Sequence, residues 1–260
     1  MRIVGALLTP DGWIDGRLTV AEGRIAALEG RPIDEAAARA APCAVVPGFV
    51  DLHVHGGGGA DTMEAGAAVE TVARTHAQHG TTALLATTMT APLAEIEAAL
   101  HALAPQCRQR ARGAARVLGV HLEGPCISAR RLGAQPDFAR VPELAEILAL
   151  HAIAPIRLVT VAPEVDGILA VIPALVAAGM RVQIGHSDAS YEQALQALQA
   201  GAGGFTHLFN AMSPLHHRAP GVAGAALAHA ERAELIPDLL HVHPGAIRAA
   251  LRAVPGLFGV

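Results

Sequence analysis

Two histidines, His53 and His55, close the run Val45-Val46-Pro47-Gly48-Phe49-Val50-Asp51-Leu52-His53-Val54-His55. In an extended strand residues i and i+2 share a face, so the two imidazoles leave the backbone side by side while Val54 points away. Neutral imidazoles paired in this way can clamp a metal ion. Gly56 to Gly59 follow at once and let the backbone turn sharply and approach a ligand. On its own the pair reads equally well as surface histidines at a strand end. Further along, the same residue types recur in Glu123 of His121-Leu122-Glu123-Gly124-Pro125, His186 of Gly185-His186-Ser187-Asp188, and His207 of Thr206-His207-Leu208-Phe209-Asn210-Ala211-Met212.

The elements that must position these residues alternate. Up to about Glu29, short strand-like runs (Arg2-Ile3-Val4, Arg17-Leu18-Thr19-Val20 and 24–28) are broken by Asp11-Gly12, Asp15-Gly16 and Glu22-Gly23, which reads as hairpins of a small β module over residues 1–45. From Val45 onward, apolar strand runs at 82–88, 116–121, 156–161, 181–184, 204–207 and 235–241 alternate with helix patterns. The helices are expected at 67–78, 93–110, 142–151, 167–178, 191–200, 222–230 and 244–253. Strict alternation argues for βαβ units and a parallel sheet. With the His53 strand this makes an α/β fold of the (β/α)8 type over 46–260: seven units and a stub of an eighth strand at 257–260, lacking most of that strand. Strands one and seven would then carry unpaired edges.

A barrel converges its strand ends, where chemistry sits. Glu123, His186 and His207 would form a set of two imidazoles and a carboxylate for zinc or another divalent first-row metal, with a position left for water. His53 and His55 make room for a second ion, with Glu123 as the obvious bridge. His121 shares the face of Glu123 and fits a supporting role. Asp188 reads as a helix cap, and Asp51 lies two residues from His53.

Composition removes other chemistries. All 19 basic residues are arginine, so Schiff-base catalysis, a P-loop lysine and a carbamylated-lysine metal bridge are out. A net charge of −4 with 3% aromatic residues argues against nucleic acid. The hydrophobic content of 52% comes largely from alanine, without an apolar run of membrane-spanning length or a signal peptide, which implies a cytoplasmic protein and no membrane partner. Cys43, Cys107 and Cys126 are too scattered for a disulfide framework and read as buried small hydrophobes, or for Cys126 a pocket residue.

The motifs PGFVDLHVHG, HLEGP, GHSDA and THLFNAM, in this order and spacing, resemble the N-acetylglucosamine-6-phosphate deacetylases of the amidohydrolase superfamily along essentially the whole chain. The resemblance implies Glu123, His186 and His207 as principal metal ligands and His53 with His55 as a second-metal pair. It implies one or two divalent ions, zinc first and iron, manganese or cobalt as alternatives. Ala134, Gln135, Asn210, Ala211, Arg218, Asp238 and His241 match positions that hold the sugar phosphate. Gln135 stands where the family usually has histidine, and Leu239 replaces a usual glycine. The implied reaction is hydrolysis of the acetamide, with the metal polarising the carbonyl and lowering the pKa of water towards ~7. An aspartate base in a Thr-Asp-Ala motif ends strand eight in the family, and no carboxylate here matches it. The expectation is a C-terminally truncated deacetylase, homodimeric at full length, with negligible turnover as it stands. The alternatives are a non-catalytic sugar-phosphate-binding protein, or another amidohydrolase such as a deaminase or cyclic amidase.

Overall fold

In a computed structural model of the chain, residues 1–141 and 143–260 are described, and they divide into two compact units, Met1–Phe49 and Val50–Val260. In the first, β1 (Arg2–Thr9), β2 (Gly12–Ala21) and β3 (Arg24–Pro32) form an antiparallel meander, with β4 (Ala44–Val45) added parallel to β1. Of the expected turns, Glu22-Gly23, both at positive φ, joins β2 to β3, while Asp11-Gly12 is shifted by one residue: Pro10-Asp11 joins β1 to β2 and Gly12 opens β2. Asp15-Gly16 is not a turn. Gly16 lies mid-strand, opposite Gly5 on one side and Gly30 on the other, and a Cβ there would sit 2.1 Å from the Glu29 carbonyl oxygen. Its glycine is needed for close strand approach, not for reversal. A short helix, α1 (Glu35–Ala40), follows, capped by the Asp34 carboxylate on the Ala37 amide.

The second unit is the expected parallel barrel. Strands β5 (Phe49–Val54), β8 (Thr81–Thr87), β9 (Arg116–Glu123), β10 (Ile156–Val161), β11 (Arg181–Ile184), β12 (Gly204–Phe205), β13 (Arg232–Leu235) and β14 (Gly256–Gly259) lie in that spatial order in one nearly closed sheet. A two-stranded hairpin, β6 (Gly56–Gly57) and β7 (Ala60–Asp61), uses the glycine run after β5. The helices are α2 (Ala68–Gln78), α3 (Leu93–Arg108), α4 (Leu144–Ile153), α5 (Ile168–Ala177), α6 (Tyr191–Ala200), α7 (Gly221–His229) and α8 (Pro244–Ala253). The helix expected over 142–151 is α4; Pro142 lies outside the described residues. The stub at 257–260 is a paired strand: β14 matches β13 from Arg232↔Gly256 to Leu235↔Gly259. The sheet edges therefore fall on strands one and eight, and strand seven is paired on both sides.

Strand seven also sits earlier than expected. β13 stops at Leu235, and the apolar residues after it belong to a loop in which Leu239 and Leu240 are exposed. The main core packs the outer face of the sheet against the helices through Val72, Leu84, Leu100, Ile147, Ile156 and Ile172, all essentially fully buried. Inside the barrel the strands are tied by side chains. Thr206 Oγ1 donates to Gln183 Oε1 at 3.0 Å and lies 2.8 Å from Thr160 Oγ1, which in turn lies 2.7 Å from His121 Nε2. Of the three cysteines, Cys126 is buried, Cys107 half-buried and Cys43 exposed, and none lines the pocket described below. Among the described residues no helix is long and apolar enough to cross a membrane.

Candidate metal centre

Four strand ends deliver the five candidate ligands to one place. His53 lies on β5, Glu123 ends β9, and His55, His186 and His207 follow β5, β11 and β12. His186 and His207 adopt φ of 45° and 30°. Such left-handed conformations cost about 1–3 kcal/mol for a residue with a Cβ and cluster at functional sites. Here they turn the chain off the strand so that each imidazole faces inward.

Glu123, 1% exposed, is the hub. Its Oε1 lies 3.1 Å from both His186 Nε2 and His207 Nε2, and those two nitrogens are 3.0 Å apart. Its Oε2 lies 3.0 Å from His55 Nε2 and 3.4 Å from His53 Nε2, which are 3.1 Å from each other. Each carboxylate oxygen thus belongs to a separate pair of imidazoles. Ligand atoms bound to one zinc at 2.0–2.1 Å on a tetrahedron stand roughly 3.3–3.4 Å apart, so both groups are close to closing on an ion. The tautomers agree with this. His186 Nδ1–H donates to the Arg131 carbonyl at 2.8 Å, which leaves the Nε2 lone pair pointing into the group. The residues present fit one or two divalent cations.

The electrostatics follow from the burial. Desolvation opposes the charge on His53, but Glu123 and Glu234 outweigh it and raise its pKa to about 10. Burial likewise pushes Glu123 up, and His53 together with hydrogen bonds from His186 and His207 overcomes it, holding the carboxyl well below its usual range. A protonated His53 therefore stands in for the positive charge a cation would bring. For His121, desolvation leads, aided by His53, and the neutral imidazole is favoured. His121 packs edge-on against His53 with ring centroids 4.5 Å apart.

Above the histidines opens a cavity of about 460 Å³ lined by, among others, Ala134, Gln135, Asn210, Ala211 and His241. Gln135 Nε2 donates to Glu123 Oε2 at 2.6 Å, and its Oε1 accepts from the Thr90 amide at 2.7 Å. It holds the carboxylate rather than standing free to meet a ligand. His241 Nδ1 is 2.7 Å from Asp238 Oδ2, and Asp238, lowered to about 2 by hydrogen bonds from the His241 backbone and side chain, supports it from outside the wall. Arg218 is exposed and does not line the cavity. Asp188 is no cap: it pairs with Arg130 and Arg131, and Ser190 caps α6 in a reciprocal capping box with Gln193. Asp51 accepts the His53 backbone amide at 3.1 Å. Among the described residues Glu123 is the only carboxylate side chain lining the cavity.

Glu234 was not anticipated. It is fully buried on β13, with Oε2 3.0 Å from His53 Nδ1 and accepting the His207 amide at 3.4 Å. The available signal was an acid flanked by apolar residues inside a parallel-sheet strand, hidden by placing strand seven a few residues too late.

Gly185 shows how tightly the centre is built. A Cβ there would lie 2.7 Å from Thr206 Cβ and 2.9 Å from Thr160 Cγ2, between strands that must stay in register. Gly185→Ala is expected to destabilise the fold by about 1–3 kcal/mol, the usual cost of overpacking, read as a lower urea midpoint. An unchanged midpoint would mean the strands yield freely.

Comparison with known proteins agrees with this geometry. Residues 44–250 match the Amidohydrolase family. An N-acetylgalactosamine-6-phosphate deacetylase of Escherichia coli O157:H7 is 42% identical over 93% of this chain and 65% of its own length. An N-acetylglucosamine-6-phosphate deacetylase of Vibrio furnissii is 43% identical over 81% of this chain and 54% of its own. The structure of a mutant N-acetyl-D-glucosamine-6-phosphate deacetylase from Mycobacterium smegmatis in complex with N-acetyl-D-glucosamine-6-phosphate superposes with a TM-score of 0.86 at 36% identity, covering 98% of this chain and 68% of that one. The chain spans 54–65% of the length of the curated relatives it matches. Barrel, ligand-bearing strand ends and matched span together place it: the chain belongs to the amidohydrolase family.

Proposed function

We propose that this site binds a 2-acetamido-hexose 6-phosphate against a divalent metal centre and directs hydrolysis of its acetamide to the free amine and acetate. The observation that carries the reading is the division of Glu123, with one oxygen facing His186 and His207 and the other facing His53 and His55, at the floor of a cavity. Glu123, His186 and His207 would hold the first ion, and His53, His55 and the second Glu123 oxygen a second. Zinc suits two imidazoles and a carboxylate best; iron, manganese and cobalt share the preference.

A bound ion supplies Lewis-acid polarisation of the amide carbonyl and a water of lowered pKa. The chain supplies the rest. Gln135 fixes the Glu123 carboxylate through its amide and the Thr90 backbone. Asp238 fixes the ring of His241, and His241 and Asn210, both lining the cavity, would offer polar groups to the sugar phosphate. A proton must still reach the leaving amine, and Glu123 is already committed to the centre. General acid–base transfer contributes about 10²–10⁴-fold, so a cavity whose one acidic side chain is Glu123 is expected to turn over that far below one with a separate acid–base group.

N-acetylgalactosamine 6-phosphate is a second reading, raised by the printed name of the 42% identical Escherichia coli O157:H7 relative. Titration calorimetry of the metal-loaded chain with both epimers, alongside acetate release, tests the proposal. Metal-dependent binding of one epimer with slow acetate release is the expected result. Binding without acetate would make the chain a sugar-phosphate-binding protein, and failure to bind either epimer would sink the reading.

A further inference from the structure

We propose that Glu234 is a positioning residue that sets His53 as a metal ligand and thereby decides whether the centre holds its second divalent cation. The inference rests on the metal-dependent reading above and adds a residue to it.

A carboxylate at 0% exposure is costly unless it is paired and hydrogen-bonded. Among the described residues the ion-pair partner of Glu234 is His53 alone, at 3.0 Å through Nδ1. A hydrogen on Nδ1 directed at this oxygen leaves Nε2 as the lone-pair donor, and Nε2 faces His55 and Glu123.

The two halves of the centre differ in this support. His186 is oriented by a neutral carbonyl, that of Arg131. His53 is oriented by a carboxylate, which raises the basicity of a ligating imidazole further. In each half one Nδ1 is buried without a hydrogen-bond partner, His207 in the first and His55 in the second, so the oriented imidazole of the second half is His53, held by Glu234. His121 completes the clamp: its ring lies edge-on against His53, and its Nε2 is tied to Thr160. Glu234 touches the first half only through the backbone amide of His207, at 3.4 Å.

The test is a zinc titration of the metal-stripped full chain, followed by calorimetry and by bound-metal analysis after gel filtration. Wild type is expected to take two equivalents. Glu234→Gln is expected to keep the first at close to wild-type affinity and to weaken the second about 10–100-fold, the usual effect of losing such an outer partner. Glu234→Asp, which keeps the charge but shortens its reach, should also lose the second selectively, and it serves if the amide variant does not fold. A role confined to packing would weaken both equivalents together or neither. Equal retention of the second equivalent in wild type and both variants overturns the proposal, as does a wild type that takes only one. A wild type that takes none overturns the metal-dependent reading itself.

Discussion

Glu123→Ala is expected to strip the centre of both cations, with zinc affinity falling at least ~100-fold at each site. That bound follows because loss of even an outer partner of a ligand costs 10–100-fold, and Glu123 would be an inner donor to both groups. The substitution removes Oε1 from His186 and His207 and Oε2 from His53 and His55 in one step. It also removes the main attraction that keeps His53 protonated in the metal-free chain. Breaking a buried ion pair by deleting one partner costs about 3–5 kcal/mol, so the metal-free variant should unfold at lower urea as well. Metal retained after gel filtration is the readout. Wild-type content in Glu123→Ala would mean that the histidines, not the carboxylate, define the sites.

Zinc added to the stripped chain should raise its melting temperature by about 8–16 °C. Ligand at a thousand times its dissociation constant stabilises a folded state by about 4.1 kcal/mol, and for a domain of this size each kcal/mol is worth about 2–4 °C. The gain arises because the convergent donor set exists only when β5, β9, β11 and β12 are in register. A chelator should reverse the shift, and Glu123→Ala should show little of it. An equal rise in that variant would place the binding elsewhere on the chain.

The parts of this protein legible in its sequence are those where local chemistry and tertiary demand coincide. Helix α6 begins and ends where expected, because Ser190 and Gln193 cap it reciprocally and Gly201, at positive φ, stops it. Helix α8 is framed by Pro244 at its start and the β-region Val254 after it. The five metal-ligand candidates were legible as residue types placed at strand ends, since a barrel has one place for strand ends to meet. Glu234 was not, because Leu239 and Leu240 imitate the apolar run of a strand while Pro237 and the buried register of Glu234 set its true end earlier. Arg218 was matched by motif alone, and nothing in its local sequence encodes whether its loop faces the cavity.

The division of the Glu123 carboxylate has a thermodynamic corollary. Two ions that share one anionic group are not independent ligands. Were two ions bound, the one held by His186 and His207 would withdraw electron density from the oxygen offered to the His53–His55 half, and the coupling would run equally in the other direction. By reciprocity, whatever factor the first ion imposes on the second, the second imposes on the first. The centre would then fill as a linked pair with two separated macroscopic constants, and its metal content in a cell would follow the free concentration of the metal in steps.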